Sequence, residues 1–408
     1  MFGLLQTSPY LTYVSPGGAS PIVFAVDELE PVRPDLSAPA GAAFGVIGLD
    51  RSIVWHSDSA ALDAMQHAAP TPVHEHLLTD AYGGQVVSDL VGRGWLQRPS
   101  DLCREYFLTT AQIEVTAHCN WGCSFCPVSV QPKPPATMSM ELFEEIIDKI
   151  SVHDTLRYVT FHFFNEPTLD RLFVDRVRVL SRFGLQLRLY TNASNLTLDK
   201  IELLEKTGVL FSLVVNLPAL QKVDFEELTQ STTHAKSLRN IDSAIKHGLP
   251  VTIVVNGSGD DLRHRVNELR QHYEQLNVKV NPALISDRAG VLHSSYNQAV
   301  RINGPLRGCA WPVNHAHFSV RGDMFICCND YYQREIFGNI KSGTVHEIMT
   351  SAEAVLLRRR VFGVEDAPAD FVCRTCFDQL ADFPLRQFRP LSAFPTRERL
   401  PCKARTNV

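Results

Sequence analysis

The chain has 408 residues, 45% hydrophobic and 20% charged, which leaves room for two or three domains around a large core. A net charge of −5 and a pI near 6.3 argue against nucleic acid as the main partner. No apolar run reaches membrane-spanning length, and the opening Met1-Phe2-Gly3-Leu4-Leu5-Gln6-Thr7 lacks the basic start and apolar stretch of a signal peptide. A cytoplasmic protein with no membrane partner is the expectation, and its ten cysteines read better as metal ligands than as disulfides.

Residues 1–108 open with extended pieces at Tyr10–Val14, Ile22–Val26 and Ile53–Trp55, punctuated by Pro31, Pro34, Pro39 and Gly41. Three short helices are expected over Ser59–Ala68, Val73–Tyr82 and Gln85–Gly92. Strands followed by three short helices resemble a winged helix-turn-helix. Asp58, Asp63, Glu75, Asp80 and Asp89 outnumber Arg51, Arg93 and Arg98, so a basic DNA-binding footprint is absent. The layout is similar to the precursor-recognition domain of enzymes that modify ribosomally made peptides, where a leader peptide adds a strand to a small sheet. A lid or packing domain is the alternative.

A strand at Gln112–Thr116 leads into Cys119-Asn120-Trp121-Gly122-Cys123-Ser124-Phe125-Cys126. The loop offers three thiolates at Cys-x3-Cys-x2-Cys spacing, with the aromatic Phe125 before the last. Three soft ligands can hold three irons of a cube and leave the fourth open for chemistry. A closed zinc site, usually built from two ligand pairs, is the rival. This loop resembles the signature of the radical S-adenosylmethionine (radical SAM) superfamily. The resemblance implies that the open iron binds SAM and that a 5′-deoxyadenosyl radical abstracts hydrogen from a substrate. It also implies an external electron donor such as flavodoxin or ferredoxin.

After the loop, helices alternate with strands. A helix over Met140–Ile150, with Ser139 as N-cap, places Leu142, Phe143, Ile146, Ile147 and Ile150 on one face. Strands are expected at Tyr158–Phe164, Leu185–Tyr190, Val209–Asn216, Val251–Asn256 and Val278–Val280. Helices are expected between them, the first at about Arg171–Phe183. Such alternation means an α/β fold with a parallel sheet, and the family resemblance implies a partial (β/α)6 barrel with its chemistry at the C-terminal strand ends. Asn165-Glu166-Pro167 resembles the family's Gly-Glu-Pro motif, which binds the SAM amino group, with Asn165 in place of the glycine. Asn192, Asn216 and Asn256, at the ends of later strands, are candidates for the ribose and carboxylate of SAM, with turn chemistry as the alternative.

A second cysteine set lies in the last hundred residues: Cys309, Cys327, Cys328, Cys373, Cys376 and Cys402. Its spacing resembles the SPASM extension of radical SAM enzymes, with Asp382 standing where a further cysteine is expected. The resemblance implies one auxiliary cluster of the [4Fe–4S] type, held by Cys309, Cys327, Cys373 and Cys376, with Cys328 as a substitute ligand or a buried thiol. Zinc is the rival. The expected domains are 1–108, 109–305 and 306–408. The reading with most support is a radical SAM oxidoreductase acting on a precursor peptide. The alternatives are a dehydrogenase or epimerase of a sugar, aminocyclitol or nucleoside, and a non-catalytic metal scaffold.

Overall fold

From residue 109 onward, apolar strands alternate with amphipathic helices, and the described residues accordingly form one nine-stranded sheet. The computed structural model describes residues 3–16, 23–24, 31–32, 37–49, 52–69, 71–276, 278–285, 287–292, 301–376 and 379. Cys402 and Asp382 lie outside the described residues. The strands are β1 (Thr110–Ile113), β2 (Tyr158–Thr160), β3 (Leu187–Thr191), β4 (Leu210–Asn216), β5 (Val251–Gly257) and β6 (Lys279–Leu284). β7 (His315–Phe318), β8 (Asp323–Phe325) and β9 (Ile336–Asn339) complete the set. The order across the sheet is β6-β5-β4-β3-β2-β1-β7-β8-β9. β1 to β6 run parallel, and β7 runs parallel to β1. β8 and β9 return antiparallel.

Helices cover one face of this sheet. Helix Met140–Ser151 begins where the Ser139 side chain accepts the Leu142 amide, and all five of its expected apolar residues are buried. Helices Phe173–Arg182, Leu198–Thr207, His234–Lys246 and Gly259–His272 follow. Leu198–Thr207 ends on Gly208 in the left-handed region (φ 63°), where a side chain would be strained. Ala111, Ile113, Val159, Leu187, Leu189, Leu213 and Val215 enter the same core as these helices. By the two-residue alternation of strands, their neighbours face the concave side.

Several expected bounds differ. The reading at Tyr158–Phe164 is too long: the strand stops at Thr160, and Phe164 turns into the left-handed region (φ 53°). The one at Gln112–Thr116 runs Thr110–Ile113, and the one at Val278–Val280 runs Lys279–Leu284. The helix expected over Val73–Tyr82 begins at Glu75, because Val73 and His74 pair as a strand with Leu5 and Leu4.

The N-terminal residues build a separate core around Leu5, Phe44, Ala64, Leu78 and Leu90. A three-stranded antiparallel sheet, ordered Val73–His74, Leu4–Thr7, Leu96–Gln97, packs with helices Ser59–His67, Glu75–Tyr82 and Gly84–Gly92. A second small sheet pairs Thr12–Val14, Phe44–Ile47 and Ile53–His56. The expected strand at Ile22–Val26 falls largely outside the described residues, which hold Val23–Phe24 paired with Pro31–Val32. Arg358, buried on helix Ala352–Val361, ties the backbone that leaves this unit to the C-terminal region by donating to the carbonyls of Cys103 (2.8 Å) and Met349 (2.7 Å).

Candidate active site

The loop between β1 and helix Met140–Ser151 carries Cys119, Cys123 and Cys126, and its neighbours hold it from two sides. The Gly122 and Ser124 amides donate to the Thr229 and Leu228 carbonyls, at the end of helix Lys222–Thr229. Trp121 is buried edge-on against Phe225, and its indole N–H donates to Thr233. On the other side Asn120 donates to Ser194 Oγ, and Asn192 Nδ2 donates to Asn120 Oδ1 (3.0 Å). Phe125 is buried in the main core. Burial pushes the Cys119 thiol up to about 12 and raises those of Cys123 and Cys126. Uncharged, the loop is a protonated thiol cluster; thiolates there require a cationic partner.

Asn165-Glu166-Pro167 stands beside this loop, the Glu166 amide donating to the His118 carbonyl (2.9 Å). The Glu166 carboxylate is fully buried. Its Oε1 accepts from the Thr168 amide, the Thr168 hydroxyl and the Thr191 hydroxyl, and its Oε2 from the Asn192 amide at 2.6 Å. Burial raises its pKa, against those hydrogen bonds. Three donors nearly saturate Oε1, whereas Oε2 keeps acceptor capacity. The Asn165 side chain closes the turn after β2, accepting from the Phe163 amide and donating to the Phe161 carbonyl. Pro167 starts the 3-10 turn Pro167–Leu169.

The three strand-end asparagines differ. Asn192 is committed to Asn120 and Ser194 and so ties the end of β3 to the cysteine loop. Asn216, the last residue of β4, has a buried Oδ1 without a partner among the described residues. Asn256 is half-buried near the end of β5.

Of the second cysteine set, Cys309, Cys327, Cys328, Cys373 and Cys376 lie together. Cys327 and Cys373 are buried, and burial raises both thiols well above the ordinary range. Cys309, Cys328, Cys373 and Cys376 add to the Cys327 shift, which puts all five within electrostatic reach. Asn329 Nδ2 donates to Cys376 Sγ at 3.4 Å. None of the nine described cysteines is in a disulfide with another described residue. Among the described residues, no three His, Cys, Asp or Glu side chains close on a single-ion site; thiolates on separate irons of a cube stand farther apart than ligands of one zinc.

An ion pair that no sequence motif announces joins the two cysteine regions. Glu114 is fully buried and accepts from Lys133 Nζ (2.9 Å), Gln333 Nε2 (2.9 Å) and the Val320 amide (3.2 Å). Lys133 Nζ lies 4.0 Å from the Phe163 ring centroid and 5.2 Å from that of Tyr331. The Tyr331 hydroxyl donates to the Gln131 carbonyl. Lys133 follows Cys126 by seven residues, a spacing that gives sequence reasoning nothing to flag.

Comparison with known proteins agrees with this geometry. A family model described as the radical SAM superfamily matches residues 113–271, and one described as an iron–sulfur cluster-binding SPASM domain matches residues 309–377. The chain is 24% identical over 268 residues to a SAM-dependent 2-deoxy-scyllo-inosamine dehydrogenase of Niallia circulans, covering 65% of this chain and 91% of the relative. It is 32% identical over 114 residues to a cofactor-modifying protein for a tungsten-containing aldehyde ferredoxin oxidoreductase of Pyrococcus furiosus, covering 27% of this chain and 32% of that one. Among solved structures, Streptococcus suis SuiB bound to the precursor peptide SuiA superposes with a TM-score of 0.54 at 10% identity, over 91% of this chain and 93% of that one, a likeness of fold. The two domain types imply [4Fe–4S] clusters and SAM as cofactors. The chain belongs to the radical SAM superfamily and carries a C-terminal SPASM-type iron–sulfur domain.

Proposed function

We propose that this enzyme modifies a residue of a ribosomally made precursor peptide, with residues 1–108 as the recognition domain, 109–305 as the barrel and 306–408 as the auxiliary-cluster domain. The N-terminal unit carries this reading. It has its own core, and its three-stranded sheet presents Val73–His74 and Leu96–Gln97 as edges to which a peptide strand can add. The fold likeness to peptide-bound SuiB takes in 91% of the chain, beyond the barrel alone.

In this reading Cys119, Cys123 and Cys126 hold the SAM-binding cluster, and Cys309, Cys327, Cys373 and Cys376 the auxiliary one. The donor sets support it: each is a group of buried and partly buried cysteines outside any disulfide, whose thiols a cationic cluster would deprotonate. When bound, the reduced cluster and SAM supply a 5′-deoxyadenosyl radical that takes a hydrogen atom from the substrate. Glu166 Oε2 and Asn216 Oδ1 are protein acceptors with capacity left for SAM, and Asn256, two residues beyond the Val254 that pairs with Asn216, is a further candidate. Asn165, Pro167 and Asn192 shape the turns that hold Glu166 and the cysteine loop, and Phe125 and Trp121 keep water from behind it. A flavodoxin or ferredoxin in a reducing cytoplasm would supply electrons.

The similarity to the aminocyclitol dehydrogenase spans 91% of that relative and favours a second reading, oxidation of a small polyol, with the N-terminal unit as a cap. The test is 5′-deoxyadenosine production by the anaerobically reconstituted protein with SAM and dithionite. Each run adds either the peptide of a neighbouring short reading frame or 2-deoxy-scyllo-inosamine. Product that rises with the peptide supports the first reading. A response to the aminocyclitol alone transfers the chain to the second. No product under any condition refutes radical chemistry and leaves a metal scaffold.

A further inference from the structure

β7, β1 and β2 lie side by side, so that His317 stands opposite Gln112 and Gln112 opposite Thr160. Ala316, Phe318, Ala111, Ile113 and Val159 of the same strands enter the helix-covered core. His317, Gln112 and Thr160 therefore form one row on the concave face. Thr160 Oγ1 lies 2.9 Å from His162 Nδ1, and the His162 ring lies 4.2 Å from that of Tyr190. Two positions back along β7, the His315 ring is stacked parallel to His317 at 5.7 Å. The row is a wall of hydrogen-bonding groups inside the barrel.

Gln112 stands in the middle of the row. Only 2% of it is exposed, and its Nε2 has no partner among the described residues. Burying an amide donor without an acceptor opposes folding, and an apolar side chain of the same size would avoid that cost. A polar group held in that state, on the face where the barrel receives its ligands, is poised for a group that arrives with the substrate.

We infer that Gln112 is a specificity-determining residue, donating from Nε2 to an oxygen acceptor on the part of the substrate that enters the barrel. On the peptide reading, which this deepens, the acceptor is a side-chain hydroxyl, amide or carboxylate. His317 and Thr160 flank it. β7 lies between Cys309 and Cys327, so the C-terminal cysteine region supplies part of the substrate wall as well as the auxiliary site.

The full-length reconstituted protein and its Gln112→Leu variant test this in two ways. Without substrate, Gln112→Leu should raise the Tm by roughly 2 °C, because it removes an unmet donor. A fall in Tm means that Gln112 has a structural partner and overturns the inference. With SAM and dithionite, the probes are the N-acetyl N-methylamides of the twenty amino acids and 2-deoxy-scyllo-inosamine, read as 5′-deoxyadenosine above the SAM-alone background. Probes with a side-chain oxygen, and the polyhydroxylated 2-deoxy-scyllo-inosamine on the small-molecule reading, should stimulate the wild type, and the alanine, valine and leucine amides, whose only oxygens are backbone carbonyls, should not. At equal iron loading, Gln112→Leu should lose roughly tenfold or more of that stimulation. Equal stimulation by probes with apolar side chains, no stimulation by any probe with a side-chain oxygen or by the aminocyclitol, or an unchanged response in Gln112→Leu overturns it. A response confined to the aminocyclitol, and lost in Gln112→Leu, keeps the Gln112 wall and ends the peptide reading.

Discussion

Replacing Lys133 with methionine breaks the buried ion pair shared by the cysteine loop's trailing segment and the C-terminal region. Glu114 is 0% exposed at its side chain and Lys133 20%. Methionine keeps most of the stem's contact with Phe163 and Tyr331 but leaves the Glu114 charge with only the Gln333 amide and the Val320 N–H. Removing one partner of a buried pair costs about 3–5 kcal/mol. The two donors that remain put the Lys133→Met cost near the lower end, about 3 kcal/mol. Glu114→Gln strands the ammonium instead, at about 2 kcal/mol, because Lys133 is partly exposed and keeps its aromatic faces. The double variant holds no unpaired charge, so its cost should fall short of the sum by about 2 kcal/mol. Urea unfolding of the cluster-free protein, followed by tryptophan fluorescence, gives the three differences. Costs that simply add would refute the argument that the pair is coupled in a low-dielectric interior.

Cys126→Ser should retain about half the iron of the reconstituted protein, roughly four of eight atoms, and release no 5′-deoxyadenosine. Cys373→Ser should also lose about half, but keep the SAM-induced change in the spectrum of the reduced cluster. Cys328→Ala should bind iron like the wild type; a loss of half would make Cys328 a ligand. Asn192→Ala removes the tie between β3 and the cysteine loop and should cost about 1–2 kcal/mol in the cluster-free protein by the same urea assay. The Glu166 pKa is raised in the fold, so the folded chain takes up that proton first as pH falls. Its contribution is fully present below the unfolded value of about 4.3 and is lost as pH rises through the folded one. As pH falls from neutral to the unfolded value of about 4.3, the cluster-free wild type should therefore gain stability relative to Glu166→Gln, and parallel Tm curves would show the raised pKa to be absent.

Local pattern carried much of the barrel into the sequence. The five apolar residues of Met140–Ser151 and the Ser139 cap are readable from neighbours a few positions away, where helix and turn chemistry are decided. The three N-terminal helices are readable for the same reason, except that Val73 and His74, expected as helix, pair as a strand with Leu5 and Leu4. Phe161-His162-Phe163-Phe164 misled because its apolar run imitates a buried strand. What ends the strand is the Asn165 side chain folding back on the Phe161 and Phe163 backbone, a contact that composition does not announce. β7 was missed for the opposite reason: His315-Ala316-His317-Phe318 alternates correctly, but its partner, β1, lies about two hundred residues earlier, and such pairing leaves no local trace. The site divides along the same line. Cysteine spacing marked both thiol sets, because metal ligands close together in sequence are a local feature. Asn192 and Asn216 looked equivalent as strand-end asparagines, yet one is spent on Asn120 and Ser194 while the other keeps a buried oxygen unpartnered among the described residues. Whether a polar side chain serves the fold or a ligand depends on which donors and acceptors the fold brings within reach, and that is settled only when distant strands meet.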